Sequence, residues 1–252
     1  MVFVDEHQCH FLPQLNGARV VAMVALCCKT KEMATKKTIA IIGASGNMGS
    51  AIAKSLANEN YRLLLFAHHQ EKVNELINEI KGINSSADVD SMGCPFDASW
   101  EADIIIPAVN YKVEKEVAEK IKEVATQKVV ISISNPLNEN YDGLITPADR
   151  SEAEELQEEL PNSKVVKAFN TVFAGDFSQP VIDGKQVDVL MAGNDEEALT
   201  IASEIVKAAG FNPIIAGKLS VSRTLENMTA LLIQLNNKYN YNWVGGWKVL
   251  HN

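Results

Sequence analysis

Apolar positions along this chain fall into two alternating rhythms. Lys37–Ile42, Arg62–Ala67 (RLLLFA), Asp103–Val109, Lys128–Ser134 (KVVISIS) and Lys164–Ala168 are short, nearly continuous apolar runs. Runs of that length without polar alternation suit strands buried on both faces. Between them the spacing changes to three and four residues. Asn47–Ala57 carries Met48, Ile52 and Leu56 on one face. Gln70–Lys81 aligns Val73, Leu76, Ile77 and Ile80, with Gly82 as the expected stop. Tyr111–Thr126 turns Val113, Val117, Ile121 and Val124 inward. Strands alternating with helices predict an α/β fold, a parallel sheet covered on both faces.

The second half is less regular. A long loop, Asn135–Arg150, leads to an acidic helix over Ser151–Leu160, whose five glutamates are expected to form a solvated face. Gln186–Ala192 reads as a strand, Asp195–Ala209 as a helix stopped at Gly210, and Asn212–Ala216 as a short extended piece. Ser220–Asn236 is a largely apolar helix on which Arg223 and Glu226 are spaced to pair, i to i+3. Tyr239, Tyr241, Trp243 and Trp247 follow. They are read as packing between lobes, with a homodimer surface or a lid as the sharper alternative.

Composition narrows the partners. The net charge is −9, with no basic tract or basic-aromatic face, so nucleic acid is not expected. No apolar stretch approaches the ~20 residues a membrane helix needs. Cys9, Cys27, Cys28 and Cys94 include no C-x-x-C pair, and a reducing cytoplasm is the simplest setting. No metal-ligand spacing stands out. Residues 1–36 look foreign to the rest. Their apolar run Val20–Cys28 is a weak signal-like core without a clear cleavage pattern, and they are read as an extension, with Met33 the natural start. The expected division is then 37–180 for the main domain and 181–252 for a smaller C-terminal lobe.

The first strand runs into Gly43-Ala44-Ser45-Gly46-Asn47-Met48-Gly49 and then a helix. Amides at a helix N-terminus point at phosphate, and the helix dipole favours negative charge. In a G-x-G-x-x-G loop the glycines permit the turn, the approach of pyrophosphate and close helix–strand packing. Here those positions are Ala44, Gly46 and Gly49, with Gly43 in front. The strand–loop–helix setting makes the motif a candidate dinucleotide site. NAD-preferring sites place a carboxylate at the end of the next strand, to hold the ribose 2′-OH. That strand ends Ala67-His68-His69 instead, with Lys72 nearby, which suits NADP. Ser45 adds a hydroxyl to the same phosphate.

GASGNMG, AHHQEK, VVKAFNT (Val165–Thr171) and AGKLSVSRTLENM (Ala216–Met228), taken together, resemble a known family. It is the NADP-dependent oxidoreductases typified by the reductase of the deazaflavin coenzyme F-420, related to the cytosolic domain of the six-transmembrane ferric reductases. The resemblance spans Lys37 to Leu250. It implies a Rossmann-type doubly wound parallel sheet with a small C-terminal lobe over the nicotinamide. It also implies Ser45, His68, His69 and Lys72 around the 2′-phosphate, Val109 and Asn110 along the cofactor, and Asn135, Pro136, Ala168, Asn170 and Thr171 on the nicotinamide and acceptor side. Two departures stand out. Histidines replace the family's arginines, which makes 2′-phosphate binding more pH-dependent. Pro107 precedes Ala108-Val109, where the family more often has it after.

The activity this implies is hydride transfer between NADP(H) and a flavin-like or deazaflavin acceptor. Such a reaction asks little of side chains: the cofactor reacts, and the protein orients two rings and excludes water. No Ser/His/Asp or Cys/His arrangement appears, and no catalytic residue is assigned. Cys94 is read as a small packed or loop residue. A dinucleotide-binding regulatory or sensor protein without turnover is the alternative of another class. A small carbonyl or imine reductase is the third reading, for which the sequence offers no clear proton donor.

Overall fold

The computed structural model describes residues 36–250. The readings of residues 1–35, including the Val20–Cys28 run and Met33, lie outside the described residues. Ten strands and seven α-helices follow one another: β1 Lys37–Ile42, α1 Asn47–Leu56, β2 Tyr61–Phe66, α2 Gln70–Ile83, β3 Val89–Ser91, α3 Pro95–Glu101, β4 Ile104–Pro107, α4 Tyr111–Ile121, β5 Val129–Ser132, α5 Glu152–Glu159, β6 Lys164–Lys167, β7 Val181–Ile182, β8 Lys185–Gln186, β9 Asp188–Gly193, α6 Glu196–Ala208, β10 Asn212–Gly217 and α7 Ser222–Tyr239. Eight strands form one sheet in the order β10-β9-β6-β5-β4-β1-β2-β3. From β3 to β6 every pairing is parallel. This is the doubly wound 3-2-1-4-5-6 order.

Alternation along the strands explains the two covered faces. Ile39, Ile41, Leu63, Leu65, Ile104 and Ile106 point to one side, against Ile52 and Leu56 of α1, Val73 and Leu76 of α2 and Ile205 of α6. Ala40, Ile42, Leu64, Ile105 and Val130 point to the other, against Ala98 of α3, Ile121 of α4 and Leu156 of α5. Both sets are fully buried, which is why the strands read as unbroken apolar runs. Pro107 is tolerated late in central β4 for a local reason. The Ala108 amide donates to Ile42 O at 2.7 Å on the β1 side, so the missing N–H of Pro107 faces β5, whose pairing with β4 stops at Ile105.

Residues 181–250 do not stand apart from this sheet. β9 pairs antiparallel with β6, β10 pairs parallel with β9, and the described residues cluster as one unit. The segment after α7 returns to the sheet edge. The Asp188 amide donates to Trp247 O at 2.9 Å, and its carboxylate accepts from Val249 N and Lys248 Nζ at 2.7 and 2.6 Å. Asp176 accepts from Phe173 N at 2.6 Å and Gly245 N at 2.8 Å. Trp243 sits edge-on to Phe173 at 5.2 Å, whereas Tyr239 and Tyr241 stack on each other and stay exposed. Among the described residues, no helix is long and apolar enough to cross a membrane.

Several local expectations need correction. Helix α2 passes through Gly82 and ends at Ile83, where the Asn84 amide still bonds Ile80 O. The short elements β3 and α3 were not anticipated; α3 is started by Cys94, whose Sγ accepts from Asp97 N. Helix α4 stops at Ile121, and Val113 is 43% exposed, so it belongs to an open face and not to the core. The acidic helix is not a solvated face throughout: Glu152 is fully buried against Lys167, and Glu154 binds Arg223 through both carboxylate oxygens. Arg223 and Glu226 therefore do not pair with each other. Both reach across to α5, and Glu226 also to Lys167 of β6, because the N-terminal turn of α5 lands on the sheet end where Lys167 emerges.

Candidate active site

Strand order reverses at β1, whose neighbours β2 and β4 leave in opposite directions. Ligands of open α/β sheets bind in the crevice beyond such strand ends. The loop after β1 is tied down first: the Gly43 and Ala44 amides donate to Phe66 O at 2.7 and 3.0 Å, and Gly46 N donates to Gly43 O at 3.0 Å. Gly43 has φ +88°, and a Cβ there would sit on the carbonyl oxygen of Ala108. A Cβ on Gly49 would sit on the carbonyl oxygen of Gly43. Glycine is required at both, for backbone approach and not for flexibility. Gly46 is the N-cap of α1, makes no side-chain cap bond, and no acidic residue occupies the first turn. The first amides of α1 are thus left for an external anion, and the cradle fits a pyrophosphate.

From this loop a cleft of about 590 Å³ extends along the strand tips. Of the residues expected to touch cofactor, Gly43, Ser45, Gly46, Asn47, Met48, His68, His69, Val109, Asn110 and Asn135 line it. Ala44 and Gly49 are buried behind the cradle and shape it from below. Lys72, Pro136, Ala168, Asn170 and Thr171 do not line the cleft. Lys72 is exposed on the first turn of α2, and the other four are buried. Asn170 still reaches the wall indirectly: its Nδ2 donates to Asn135 Oδ1 at 3.1 Å, and Asn135 Nδ2 donates back to Asn170 O at 3.3 Å. Asn170 Oδ1 and Thr171 Oγ1 are buried without a hydrogen-bond partner.

Helix α4 supplies what the sequence reading missed. Tyr111, Val113, Glu116, Val117 and Lys120 all face the cleft. The three- and four-residue spacing marks Val113 and Val117 as core: Val117 does pack on the core as well as edging the cleft, whereas Val113 is open. At the far end of the cleft, His68 and His69 are exposed at the tip of β2, His68 edge-on to Phe66 at 5.9 Å. Glu116 across from them is held by Lys120 at 2.6 Å, which draws its carboxyl below the ordinary value.

A doubly wound sheet, a glycine cradle at its switch point and a cleft of dinucleotide size define a Rossmann-type dinucleotide-binding protein. The family model described as "NADP oxidoreductase coenzyme F420-dependent" matches residues 38–136. The F420-dependent NADP reductase of Methanocaldococcus jannaschii is 34% identical over 212 residues, covering 80% of this chain and 93% of that protein. The chain belongs to this family of NADP-dependent oxidoreductases. The rat metalloreductase STEAP3 is 32% identical over 106 residues, 42% of this chain and 21% of that protein. A solved structure from Arthrobacter sp. FB24 shares the fold, with a TM-score of 0.75 at 20% identity, over 84% of this chain and 99% of that one.

Proposed function

We propose that this protein transfers hydride between NADP(H) and a deazaflavin of the coenzyme F-420 type, in the cytoplasm. The observation that carries the reading is the far end of the cleft, where β2 ends without a carboxylate and His68 and His69 stand at the mouth. A carboxylate there would repel a 2′-phosphate, whereas imidazoles can bond it. Lys120 on α4 stands at the same mouth, paired there with Glu116, while the Lys72 expected from the family pattern lies outside the lining. The pyrophosphate would lie on the amides of Gly46, Asn47 and Met48. The nicotinamide would lie toward Ser134 and Asn135. NADP(H) when bound supplies the hydride chemistry. The chain's own residues orient the two rings and keep water out. The names of the family's relatives support the deazaflavin as acceptor.

The test is paired titration and turnover. NADPH is expected to bind more tightly than NADH, and His68→Glu to erase or reverse that preference. Equal affinity of the wild type for both cofactors would sink the 2′-phosphate argument. NADPH oxidation against deazaflavin, flavins, ferric chelates and quinones in parallel then selects the acceptor, and absence of turnover with all of them would favour a sensor. We also propose a homodimer through the exposed Leu231, Tyr239 and Tyr241. Sedimentation returning a monomer at micromolar concentration would remove it.

A further inference from the structure

Behind Ser134 and Asn135 lies a cluster of buried charges. Lys167, Glu152 and Glu226 are fully buried and Glu114 is 4% exposed. They come from four elements: β6, α5, α7 and α4. Lys167 Nζ contacts Glu152 Oε2 at 2.5 Å and Glu226 Oε1 at 2.8 Å. It also donates to Ser132 Oγ at 3.2 Å and to the carbonyl oxygen of Ser134 at 2.5 Å. Ser132 Oγ donates to Glu152 Oε2 at 2.5 Å. Glu226 accepts from the amides of Glu152 and Ala153 at 3.1 and 3.4 Å, and so serves the open end of α5.

Three carboxyls against one ammonium cannot all be ionised in such surroundings. Burial pushes Glu114 well above the ordinary carboxyl value, reinforced by the charge of Glu152 and a hydrogen bond to it. Of the three, Glu114 is the carboxyl pushed furthest toward its protonated form, since it has no ammonium contact of its own. Burial alone would lower the Lys167 ammonium, but Glu152 and Glu226 outweigh it and keep it charged. A buried ion network is weak evidence for stability. Its retention calls for another reason.

That reason lies on the other side of Ser134. Two residues after Lys167 the chain turns through Phe169, whose φ of +58° is a left-handed conformation that a bulky side chain avoids. Its ring is locked between Phe177 and Phe211 at 5.6 and 6.3 Å. The turn delivers Asn170 to Asn135. There Thr229, one turn beyond Glu226 on α7, donates to Asn170 O at 2.7 Å and accepts from Asn170 Nδ2 at 3.2 Å. One helix thus holds both halves of the wall, through Glu226–Lys167–Ser134 and through Thr229–Asn170–Asn135.

We propose that Lys167, with Glu152, Glu226 and Thr229, is the positioning device of the nicotinamide half of the cleft. It fixes the Ser134 carbonyl and the Asn135 amide and leaves the adenosine half untouched. None of the four lines the cleft, so they act through Ser134 and Asn135. The inference rests on the proposed NADP(H) site.

The experiment compares NADPH with 2′,5′-ADP, which carries the adenosine and 2′-phosphate and lacks nicotinamide. Lys167→Met alone strands two buried carboxylates and endangers the fold. The informative variants are therefore the charge-neutral Lys167→Met/Glu152→Gln/Glu226→Gln and the uncharged Thr229→Val. Calorimetric titration is expected to show NADPH binding weakened about tenfold in the first and less in the second, with 2′,5′-ADP affinity within about twofold of wild type. The kcat of NADPH oxidation should fall more than KM rises, because misplacing a reacting ring costs rate first. Parallel weakening of both ligands, or no change in either, would overturn the positioning role alone. A wild type that binds neither would overturn the NADP(H) site and this inference with it.

Discussion

The two ends of the cleft are built on opposite plans. The phosphate end is backbone: a loop closed by amide–carbonyl bonds, two glycines pressed against carbonyls, and a helix start left uncapped. The nicotinamide end is side chain: a buried ammonium and three buried carboxyls, with Asn170 behind and Asn135 at the cleft wall. The first plan tolerates no added atom at Gly43 or Gly49. The second tolerates no unpaired charge. A dinucleotide makes sense of the contrast, since its diphosphate is gripped wherever amides converge, whereas a ring that must meet another ring needs a wall of fixed shape.

The contrast can be broken, starting with the largest effect. Lys167→Ala should cost about 3–5 kcal/mol in urea unfolding, the usual penalty for leaving buried partners uncompensated. A loss below about 1 kcal/mol would mean the network is solvated and the contrast false. Gly49→Ala should cost roughly 1–3 kcal/mol, because its methyl meets backbone that cannot yield, and should weaken NADPH and 2′,5′-ADP together. Selective loss of NADPH in that variant would contradict the division of labour.

Asp176 sits between the two plans, a buried carboxylate held by backbone amides alone. Burial, only partly offset by the amides of Phe173 and Gly245, raises it to about 6 from an ordinary 3.8. The folded chain therefore keeps a proton that the unfolded chain has lost between these values. That stabilisation is complete below pH 3.8 and disappears as the pH rises through about 6. The melting temperature of wild type relative to Asp176→Asn should accordingly fall by roughly 5–9 °C between pH 4 and 6.5. A flat difference would place the carboxylate in water. The smallest effect is expected at Ser151, which caps α5 in a reciprocal box with Glu154. Ser151→Ala should cost at most about 1 kcal/mol and leave both ligands' affinities alone, since helix capping lies outside the wall.

What the sequence disclosed follows the same line. The cradle was legible because every part of it is local: an apolar strand, three glycines and a helix start within thirteen residues. The parallel sheet was legible because strands buried on both faces leave unbroken apolar runs. β3 escaped because it is three residues long and mostly exposed, and α3 because seven residues carry too little periodicity. The charged network escaped for a stronger reason. A glutamate in an acidic helix reads as solvated, and nothing in Glu152 or Glu226 announces a lysine fifteen or fifty-nine residues away. The cleft face of α4 was seen and misassigned, because a valine stripe looks alike whether it meets a sheet or a ligand.

The placement of Glu226 on α7 also sets an order in time. Chains emerge N-terminus first and fold as segments become available. The hydrogen bonds and closest contacts of the loop proposed to grip phosphate all fall within the chain up to Ala108, less than half its length. The wall for the nicotinamide waits for α7, since Lys167 has only part of its compensation until Glu226 arrives. The contacts that would hold the nucleotide's anionic end are thus written early in the chain, and those that would aim its ring are written late.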